Sequence, residues 1–340
     1  MKKVSLIIDS YLKNNEVFNN YSLLNRDYIF DKYIKLKEEF QSFGYDISTS
    51  DINNIDNSDF IIYINIPKKM PKEKNYHKSY LILMESSLIR PDNFILKRHD
   101  SFRKIFTWDD FLVDNVRYFK SNFAHFFPKQ ICAIQHKNKK LCVLVAGNKN
   151  SPVKDDRELY SKRKEAIRWF EKNHLDEFSL YGIGWDEFRF SGPIYIRALN
   201  RVAWIKNILW KIKGEVFPSY RGKIENKKLV MSGYKFSICY ENARDMPGYI
   251  TEKIFDSFFA GCVPVYWGAD NISKYVPENC FVDKRIYSSY EELYDYLEKM
   301  SDIEYNTYLY NIQKFIESDA VYSFSSKGFA KNIVKELLEF

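Results

Sequence analysis

Residues 234–268 read YKFSICYENARDMPGYITEKIFDSFFAGCVPVYWG, and the order of structural signals in this stretch decides the fold. Residues 236–240 are apolar and predict a short buried strand, and the Asn, Asp, Pro and Gly residues that follow are typical of a loop. From Ile250 the apolar residues recur at helical spacing as far as Gly261, and residues 262–267 predict a second buried strand. The sequence therefore predicts a β-loop-α-β unit.

The start of this predicted helix carries three polar residues, Thr251, Glu252 and Lys253. Backbone N–H groups and the positive end of the helix dipole suit a phosphate, and Lys253 would add a full positive charge. Glu252 would accept hydrogen bonds from ribose or sugar hydroxyls. The alternative is that Thr251 and Glu252 only cap the helix, and taken alone so short a motif favours that role.

The whole stretch resembles the donor-binding motif of the α-1,3/4-fucosyltransferases, glycosyltransferase family 10. Members of that family have the pattern F-x-x-x-x-E-N, a short loop, Y-[VI]-T-E-K and a strand with V-P-V-x-x-G. The matching positions are Phe236, Glu241, Asn242, Tyr249, Ile250, Thr251, Glu252, Lys253, Val263, Pro264, Val265 and Gly268. The resemblance implies a GT-B-like α/β fold, in which two Rossmann-like domains face each other across a cleft.

The resemblance also assigns roles in binding GDP-fucose. The implied donor-binding residues are Arg163, Asn242, Tyr249, Thr251, Glu252 and Lys253. Further candidates for the same role are Asn148, Glu241 and Gly182. Arg157 and Lys162 compete with Arg163 for contact with the diphosphate, which a planar guanidinium suits, because the register is hard to set there. The alternatives are a solvated helix face for the arginine and a packing role for Tyr249.

Glu85 directly follows the apolar residues 80–84, at the carboxyl end of a predicted strand, where open α/β sheets bind ligands. The segment LMESSLIRP, residues 83–91, resembles the family segment whose glutamate is the proposed general base. A base there would take the proton of the acceptor hydroxyl as that hydroxyl attacks C1 of the sugar. The alternative is that Glu85 only caps the next turn with Ser86 and Ser87.

Metal-binding patterns are missing from the sequence. There is no D-x-D triplet, and the adjacent Asp109 and Asp110 predict a helix N-terminus. The five histidines do not have the helical spacing of zinc ligands. We therefore expect no required cofactor, with GDP-fucose as the donor substrate and at most a stimulatory role for a divalent metal.

The amino-acid composition says more about the cellular compartment of the protein than about any reaction that it catalyses. The chain has 340 residues and a net charge of +7, and its 17% aromatic content excludes wholesale disorder. Five cysteines without a C-x-x-C pair predict reduced thiols in a cytoplasmic protein. The basic balance suits an anionic membrane surface, an acidic glycan or a nucleotide equally well. We expect a cytoplasmic location, with peripheral contact at the inner face of the membrane as an option.

Alternating strands and helices predict three parts of the chain. Residues 1–139 would form an acceptor-binding α/β domain, and residues 140–318 a Rossmann-like domain that binds the GDP-sugar. Residues 319–340 would form a C-terminal helix that can pack back on the first domain. Within the second part, residues 204–211 are apolar and predict a helix. The resemblance is strong over about 140–285, weaker over about 80–125, and not usable before Ser79.

The function implied is an inverting glycosyltransferase. It would move L-fucose from GDP-fucose to O3 or O4 of an N-acetylglucosamine-type residue of an oligosaccharide or glycolipid, as in Lewis-type or O-antigen synthesis. Another GDP-6-deoxyhexose could serve as donor. From a different class, a non-catalytic carbohydrate- or nucleic-acid-binding module would also be basic and aromatic. We expect no nucleic-acid partner, and the sequence leaves the oligomeric state open.

Overall fold

The computed structural model describes residues 1–131, 139–151, 153–188, 190 and 194–339. The strands are β1 (Lys2–Ile7), β2 (Tyr45–Thr49), β3 (Phe60–Ile64), β4 (Ser79–Leu83), β5 (Lys104–Thr107), β6 (Tyr118–Lys120), β7 (Lys140–Val145), β8 (Phe178–Tyr181), β9 (Tyr234–Tyr240), β10 (Val263–Trp267) and β11 (Val282–Asp283). The α-helices are α1 (Asp31–Ser42), α2 (Leu96–His99), α3 (Tyr160–Asn173), α4 (Ile194–Ala198), α5 (Ala203–Lys213), α6 (Lys227–Met231), α7 (Glu252–Phe259), α8 (Tyr290–Lys299), α9 (Asp302–Glu317) and α10 (Ser326–Leu338).

The chain folds into two compact units, each built from segments that are not contiguous in sequence. Unit 1 comprises Met1–Pro128, Met246–Glu252 and Ile316–Phe340. Unit 2 comprises Lys129–Asp245 and Lys253–Phe315. Among the described residues, no helix is both long and apolar enough to cross a lipid bilayer.

Unit 1 contains a six-stranded parallel sheet in the order β2-β1-β3-β4-β5-β6. The inner strands are near-continuous apolar runs, as parallel strands covered on both faces require. On one face, Val4 and Leu6 of β1 share a buried core with Leu36 and Phe40 of α1. This layering places the strand carboxyl ends, where ligands bind in such sheets, along a single edge.

The C-terminal helix α10 belongs to unit 1. Its residues Phe329, Ile333 and Val334 join the buried core that α1 forms on the sheet. The side chain of Ser325 caps the helix by accepting a hydrogen bond from the Gly328 N–H, 2.9 Å away. A Cβ at Gly328 would lie 2.0 Å from the carbonyl oxygen of Tyr322, so only glycine fits where this helix begins.

Unit 2 contains a five-stranded parallel sheet in the order β11-β10-β9-β7-β8. The two strands predicted from the opening stretch pair directly, with Val263 opposite Phe236 and Trp267 opposite Tyr240. The helix between them, α7, packs its apolar face into the interior of the protein; the buried residues of that face are Ile254, Phe255 and Phe258. The predicted β-loop-α-β unit is therefore present.

The division into units differs from the predicted domains at the loop before α7. That loop, Met246–Glu252, lies within residues 140–318 but belongs to unit 1. The reason is a set of contacts that the local sequence does not reveal. The ring of Tyr249 packs 4.8 Å from that of Trp108, and the Asp110 N–H donates to the Pro247 carbonyl at 3.2 Å. The predicted helix start at Asp109 and Asp110 is also wrong, because these residues form a turn.

Candidate functional site

The Glu85 loop is held by two asparagines at the carboxyl edge of the unit 1 sheet. Asn65 follows β3 with a positive φ of 62°, and its Oδ1 accepts hydrogen bonds from the Met84 N–H at 2.8 Å and from Nδ2 of Asn93 at 2.9 Å. Nδ2 of Asn93 also donates to the backbone carbonyl of Glu85 at 3.3 Å. Asn93 is fully buried, so this network fixes the backbone from which Glu85 projects.

Lys32 contributes a cation to the same edge. It lies in the first turn of α1 and interacts electrostatically with both Glu85 and Glu252. Burial lowers the pKa of Lys32, and the two carboxylates oppose that shift by favouring its charged form. Lys32 thus interacts electrostatically with the carboxylate that is the candidate general base.

The pKa of the neighbouring Tyr33 hydroxyl is raised, first by burial and then by Tyr11, Asp9 and Glu85. Asp9 follows β1 as Glu85 follows β4, so acidic side chains gather at the carboxyl ends of these strands. Glu85 is half-buried, and with Lys32, Glu252 and Asp9 it forms the charged cluster of unit 1. A carboxylate in this setting can accept a proton from a sugar hydroxyl.

The loop Met246–Glu252 is seated against the end of β5. Gly248 has φ +83°, and a Cβ there would lie 2.3 Å from the Trp108 carbonyl oxygen and 2.6 Å from Nζ of Lys120. Lys120 donates to that carbonyl at 2.6 Å and pairs with Asp110 at 2.6 Å. Burial lowers the pKa of Lys120, which Asp110 opposes. This packing carries Glu252 to the charged cluster of unit 1.

Tyr249 is a buried packing residue in this structure. Its side chain is 1% exposed and its ring lies 5.6 Å from Phe123 as well as near Trp108. Thr251 is also buried. Tyr249 therefore packs in the interior, as the alternative role for this residue predicts. A contact of Tyr249 or Thr251 with the donor stays a prediction.

Arg163 holds the carboxyl end of β9 in unit 2. Its guanidinium donates to the carbonyl oxygens of Tyr240 at 2.8 Å and Glu241 at 2.7 Å, and to Oδ1 of Asn242 at 3.0 Å. Arg163 is buried, so the alternative of a solvated helix face is wrong. The fork of hydrogen bonds orients Asn242 and the backbone around it. Contact of Arg163 with a diphosphate stays a prediction.

Lys253 and Glu241 form an ion pair at the start of α7. Nζ of Lys253 lies 3.2 Å from Oε2 of Glu241, whose side chain is 0% exposed, whereas that of Lys253 is 22% exposed. Gly268 makes room for this carboxylate, because a Cβ there would lie 2.4 Å from Cγ of Glu241. The motif positions Glu241, Lys253 and Gly268 are therefore brought together, with Lys253 at the more exposed end of the pair.

Asn148 and Gly182 join two turns at the ends of β7 and β8. The Asn148 N–H donates to the Ile183 carbonyl at 2.9 Å, and its Nδ2 donates to the Gly184 carbonyl at 2.9 Å. Gly182 has φ +134°, and a Cβ there would lie 1.9 Å from the Ala146 carbonyl oxygen. These contacts explain why both residue types occur here, and their predicted contact with the donor is untested.

A pocket of about 780 Å³ opens in unit 2 near the amino end of α3. Tyr160 and Trp267 line it together with the cations Lys154, Lys162 and Arg244. Acidic residues line it as well, and among these Asp155 has its pKa lowered to about 2, chiefly by hydrogen bonds from Arg157. Rings and cations in one concave site suit a nucleotide with its diphosphate.

The described part of the chain contains no group of three or more His, Cys, Asp and Glu side chains arranged to hold a metal ion. The turn at Asp109 and Asp110 is one place where a metal could have been sought, but Asp110 is engaged with Lys120. Burial raises the pKa of Asp109. Independence from metal stays a prediction for the reaction itself.

Sequence reasoning missed Lys32, Asn65, Asn93 and the pocket at Tyr160. Lys32 lies in the part of the chain without a usable motif, and a lysine on a charged helix is ordinarily solvated. The available signal was its position at the first turn of the helix that follows β1. In a parallel sheet that turn lies at the carboxyl edge, near the residue that follows each strand.

Residues 195–327 match the family model for the C-terminal region of glycosyltransferase family 10, the fucosyltransferases. This match to glycosyltransferase family 10 covers less than half of the chain. The α-(1,3)-fucosyltransferase FucT of Helicobacter pylori is 36% identical to this chain over 75 residues, which are 22% of this chain and 16% of that protein. The human 4-galactosyl-N-acetylglucosaminide 3-α-L-fucosyltransferase 9 is 32% identical over 123 residues, 32% of each protein.

This chain thus matches less than a third of the length of these relatives, and the sequence similarity is confined to one region. The similarity in fold extends over the whole chain. The crystal structure of an α1,3-fucosyltransferase with GDP-fucose aligns with 100% of this chain and 90% of that one, with a TM-score of 0.54 at 16% identity. At that identity the likeness concerns the fold alone. The predicted GT-B-like class, with two Rossmann-like α/β units, is confirmed.

Proposed function

We propose that this chain is an inverting fucosyltransferase of glycosyltransferase family 10, with GDP-fucose as donor. The observation that supports the proposal is the placement of Glu85, a half-buried carboxylate whose backbone carbonyl accepts a hydrogen bond from Asn93 and which interacts electrostatically with Lys32. A binding module does not need a base in this position. The family description and the GDP-fucose complex of a neighbour with the same fold support the donor.

In the proposed reaction Glu85 accepts the proton of the acceptor hydroxyl. The hydroxyl oxygen forms a bond to C1 of fucose from the side opposite the departing phosphate, so the configuration at C1 inverts. The bond between C1 and the phosphate oxygen breaks, and its electron pair leaves with GDP. Sugar transfer of this kind passes through an oxocarbenium-like state, as glycoside hydrolysis does.

Residues of the donor motif would stabilise the leaving group. Lys253, whose charge already lies beside Glu241 at the start of α7, would bind the diphosphate together with backbone N–H groups of that helix. Arg163 would keep Asn242 in place for the nucleotide. Glu252 would accept a hydrogen bond from a ribose or sugar hydroxyl. With these cations supplying the charge, we propose that no metal ion is required.

The proposed acceptor is an N-acetylglucosamine-type residue of an oligosaccharide or glycolipid, fucosylated at O3 or O4. Support comes from the human relative, whose name specifies an N-acetylglucosaminide acceptor and 3-α-L linkage. We further propose that the protein works in the cytoplasm without a nucleic-acid partner.

The test is a transfer assay with GDP-fucose and N-acetyllactosamine in excess EDTA. We expect GDP release together with a product heavier by one deoxyhexose, and an α-linkage by NMR. GDP-mannose and a second GDP-6-deoxyhexose serve as competing donors. No transfer from any GDP-sugar would contradict the proposed function, and activity only after addition of Mn²⁺ or Mg²⁺ would contradict independence from metal. Faster transfer from the other deoxyhexose would reassign the donor sugar.

A further inference from the structure

Helix α5 exposes an apolar stripe in unit 2. Trp204, Ile208 and Ile212 occur every fourth residue and are 66%, 49% and 69% exposed. Residues four apart lie on one side of a helix, so these side chains form a continuous strip about two turns long. Val216, which follows the helix, is exposed as well. Single exposed apolar residues are ordinary, but a strip of this kind on one helix marks an interaction surface.

The helix is fixed to unit 2 at points away from this stripe. Lys206 forms an ion pair with Glu187. Beyond the carboxyl end of α5, Phe217 is buried, with its ring 4.9 Å from that of Trp185 and 3.9 Å from the guanidinium of Arg168. These contacts hold α5 in a defined position on unit 2 while the apolar stripe stays exposed.

The segment around the stripe is strongly basic. By sequence, residues 197–213 contain no Asp or Glu and five Arg or Lys residues, one of which, Lys206, is paired with Glu187. Two copies of such a segment would repel each other, because like charges that face across an interface are unfavourable. A surface that is both apolar and anionic suits this segment better than a second copy does.

We propose that α5 binds the surface of an anionic lipid bilayer, with Trp204, Ile208 and Ile212 inserted at the headgroup boundary. Amphipathic helices with Trp and aliphatic residues on one face and Lys or Arg on the other bind in this way. Tryptophan favours the interface because its ring is apolar and its N–H is polar. An 11-residue helix is about 16 Å long and cannot cross the apolar core, so it lies in the plane of the surface.

This inference does not depend on the sugar that is transferred. A membrane-bound enzyme is concentrated where lipid-linked acceptors lie, and attachment by one helix is reversible because the buried apolar area is small. The charge contribution is screened by salt, since the attraction falls off within a Debye length of the surface.

The experiment is sedimentation of the full chain with vesicles of phosphatidylcholine, with and without about 30% phosphatidylglycerol. We expect binding to the anionic vesicles, much weaker binding to phosphatidylcholine alone, and loss of binding in about 0.5 M salt. The variant Trp204→Gln/Ile208→Gln/Ile212→Gln should bind the anionic vesicles at least tenfold more weakly. Glutamine keeps helix propensity, so the fold should be retained.

A matched control variant removes three exposed apolar side chains elsewhere in unit 2. Leu229, Ile286 and Ile303 are exposed apolar residues of unit 2, and their triple Gln variant should bind vesicles as the unchanged protein does. Thermal unfolding checks that both variants fold. The proposal is overturned if the unchanged protein does not sediment with anionic vesicles, or if the α5 variant and the control bind equally. It is also overturned if the α5 variant only converts an oligomer into a monomer.

Discussion

At the residue scale, the role proposed for Lys32 in the charged cluster of unit 1 can be tested by measurement. Lys32 interacts with Glu85 and Glu252, and burial lowers its own pKa. A cation near a carboxylate favours the ionised carboxylate. In the proposed mechanism Lys32 would act through Glu85, as a positioning residue.

We predict that Lys32→Met shifts the acid limb of the kcat/KM profile upward by about one pH unit. Without the ammonium, Glu85 should become protonated at a higher pH, so activity falls most at low pH and recovers as the pH rises. Lys35→Met is the control, because Lys35 lies on the same helix and pairs with Glu38 at 2.7 Å. Lys32→Arg should restore the profile, whereas a uniform loss at all pH values would indicate a structural role only.

The second residue-scale prediction concerns Lys253. Its removal leaves the fully buried Glu241 without the ammonium that lies 3.2 Å away, so stability as well as turnover should fall. Breaking a buried pair on one side costs about 3 kcal/mol or more, and a lost charge-assisted phosphate contact lowers kcat/KM at least tenfold.

The double variant Lys253→Ala/Glu241→Gln separates these two effects. Removing the carboxylate charge should recover most of the stability measured by urea unfolding, while kcat/KM stays low. Near-normal kinetics in the double variant would show that Lys253 serves the fold and not the donor.

At the element scale, the loop Met246–Glu252 carries part of the donor motif within unit 1, and Gly248 is its most constrained position. Both Gly248 and Gly44 have positive φ values, +83° and +79°, but only Gly248 would place a Cβ against backbone, 2.3 Å from the Trp108 carbonyl oxygen. Nothing lies within 4 Å of a Cβ at Gly44. A comparison of alanine variants at Gly248 and Gly44 therefore separates the cost of backbone strain from the cost of a steric clash.

We predict that Gly44→Ala costs about 1–2 kcal/mol of unfolding free energy, the penalty for a left-handed backbone with a side chain. Gly248→Ala should cost clearly more and also reduce activity, because the Trp108 carbonyl must move and Glu252 follows. Urea unfolding of both variants gives the comparison. Equal losses of stability would mean that the loop adjusts without strain.

The elements that could be predicted from sequence are those in which local pattern and burial agree. Strands β9 and β10 are apolar runs in the interior of a parallel sheet, and α7 repeats its apolar residues at helical spacing. Strands β2 and β6 were not predicted, and both lie at the edges of the unit 1 sheet. Edge strands need fewer apolar residues, so β2, with the sequence YDIST, carries little signal.

Residues of the candidate site could be predicted only where the neighbouring sequence explains why that residue type occurs. Glu85 follows an apolar strand, and Lys253 opens a helix. The roles of Asn65 and Asn93 could not be predicted, because they depend on hydrogen bonds between residues 28 positions apart. The same holds for Tyr249, whose burial depends on Trp108.

At the scale of the whole molecule, a donor that binds only the folded chain should raise its stability. We predict that GDP increases the melting temperature, and UDP and ADP much less, because the motif resembles a guanine-nucleotide site. At a hundredfold excess over Kd the gain is roughly 2.7 kcal/mol. Differential scanning fluorimetry measures the three shifts at equal nucleotide concentration, and equal shifts would contradict the guanine preference.

The proposed mechanism depends above all on Glu85 as the general base of sugar transfer, and a paired measurement on the variant Glu85→Gln examines that role. Glutamine keeps the size and hydrogen bonding of the side chain but cannot take the proton. We predict that kcat falls on the order of 10²–10⁴-fold while GDP affinity, measured on the same preparation, stays unchanged. A rate within about threefold of the unchanged protein, with normal GDP binding, would contradict it.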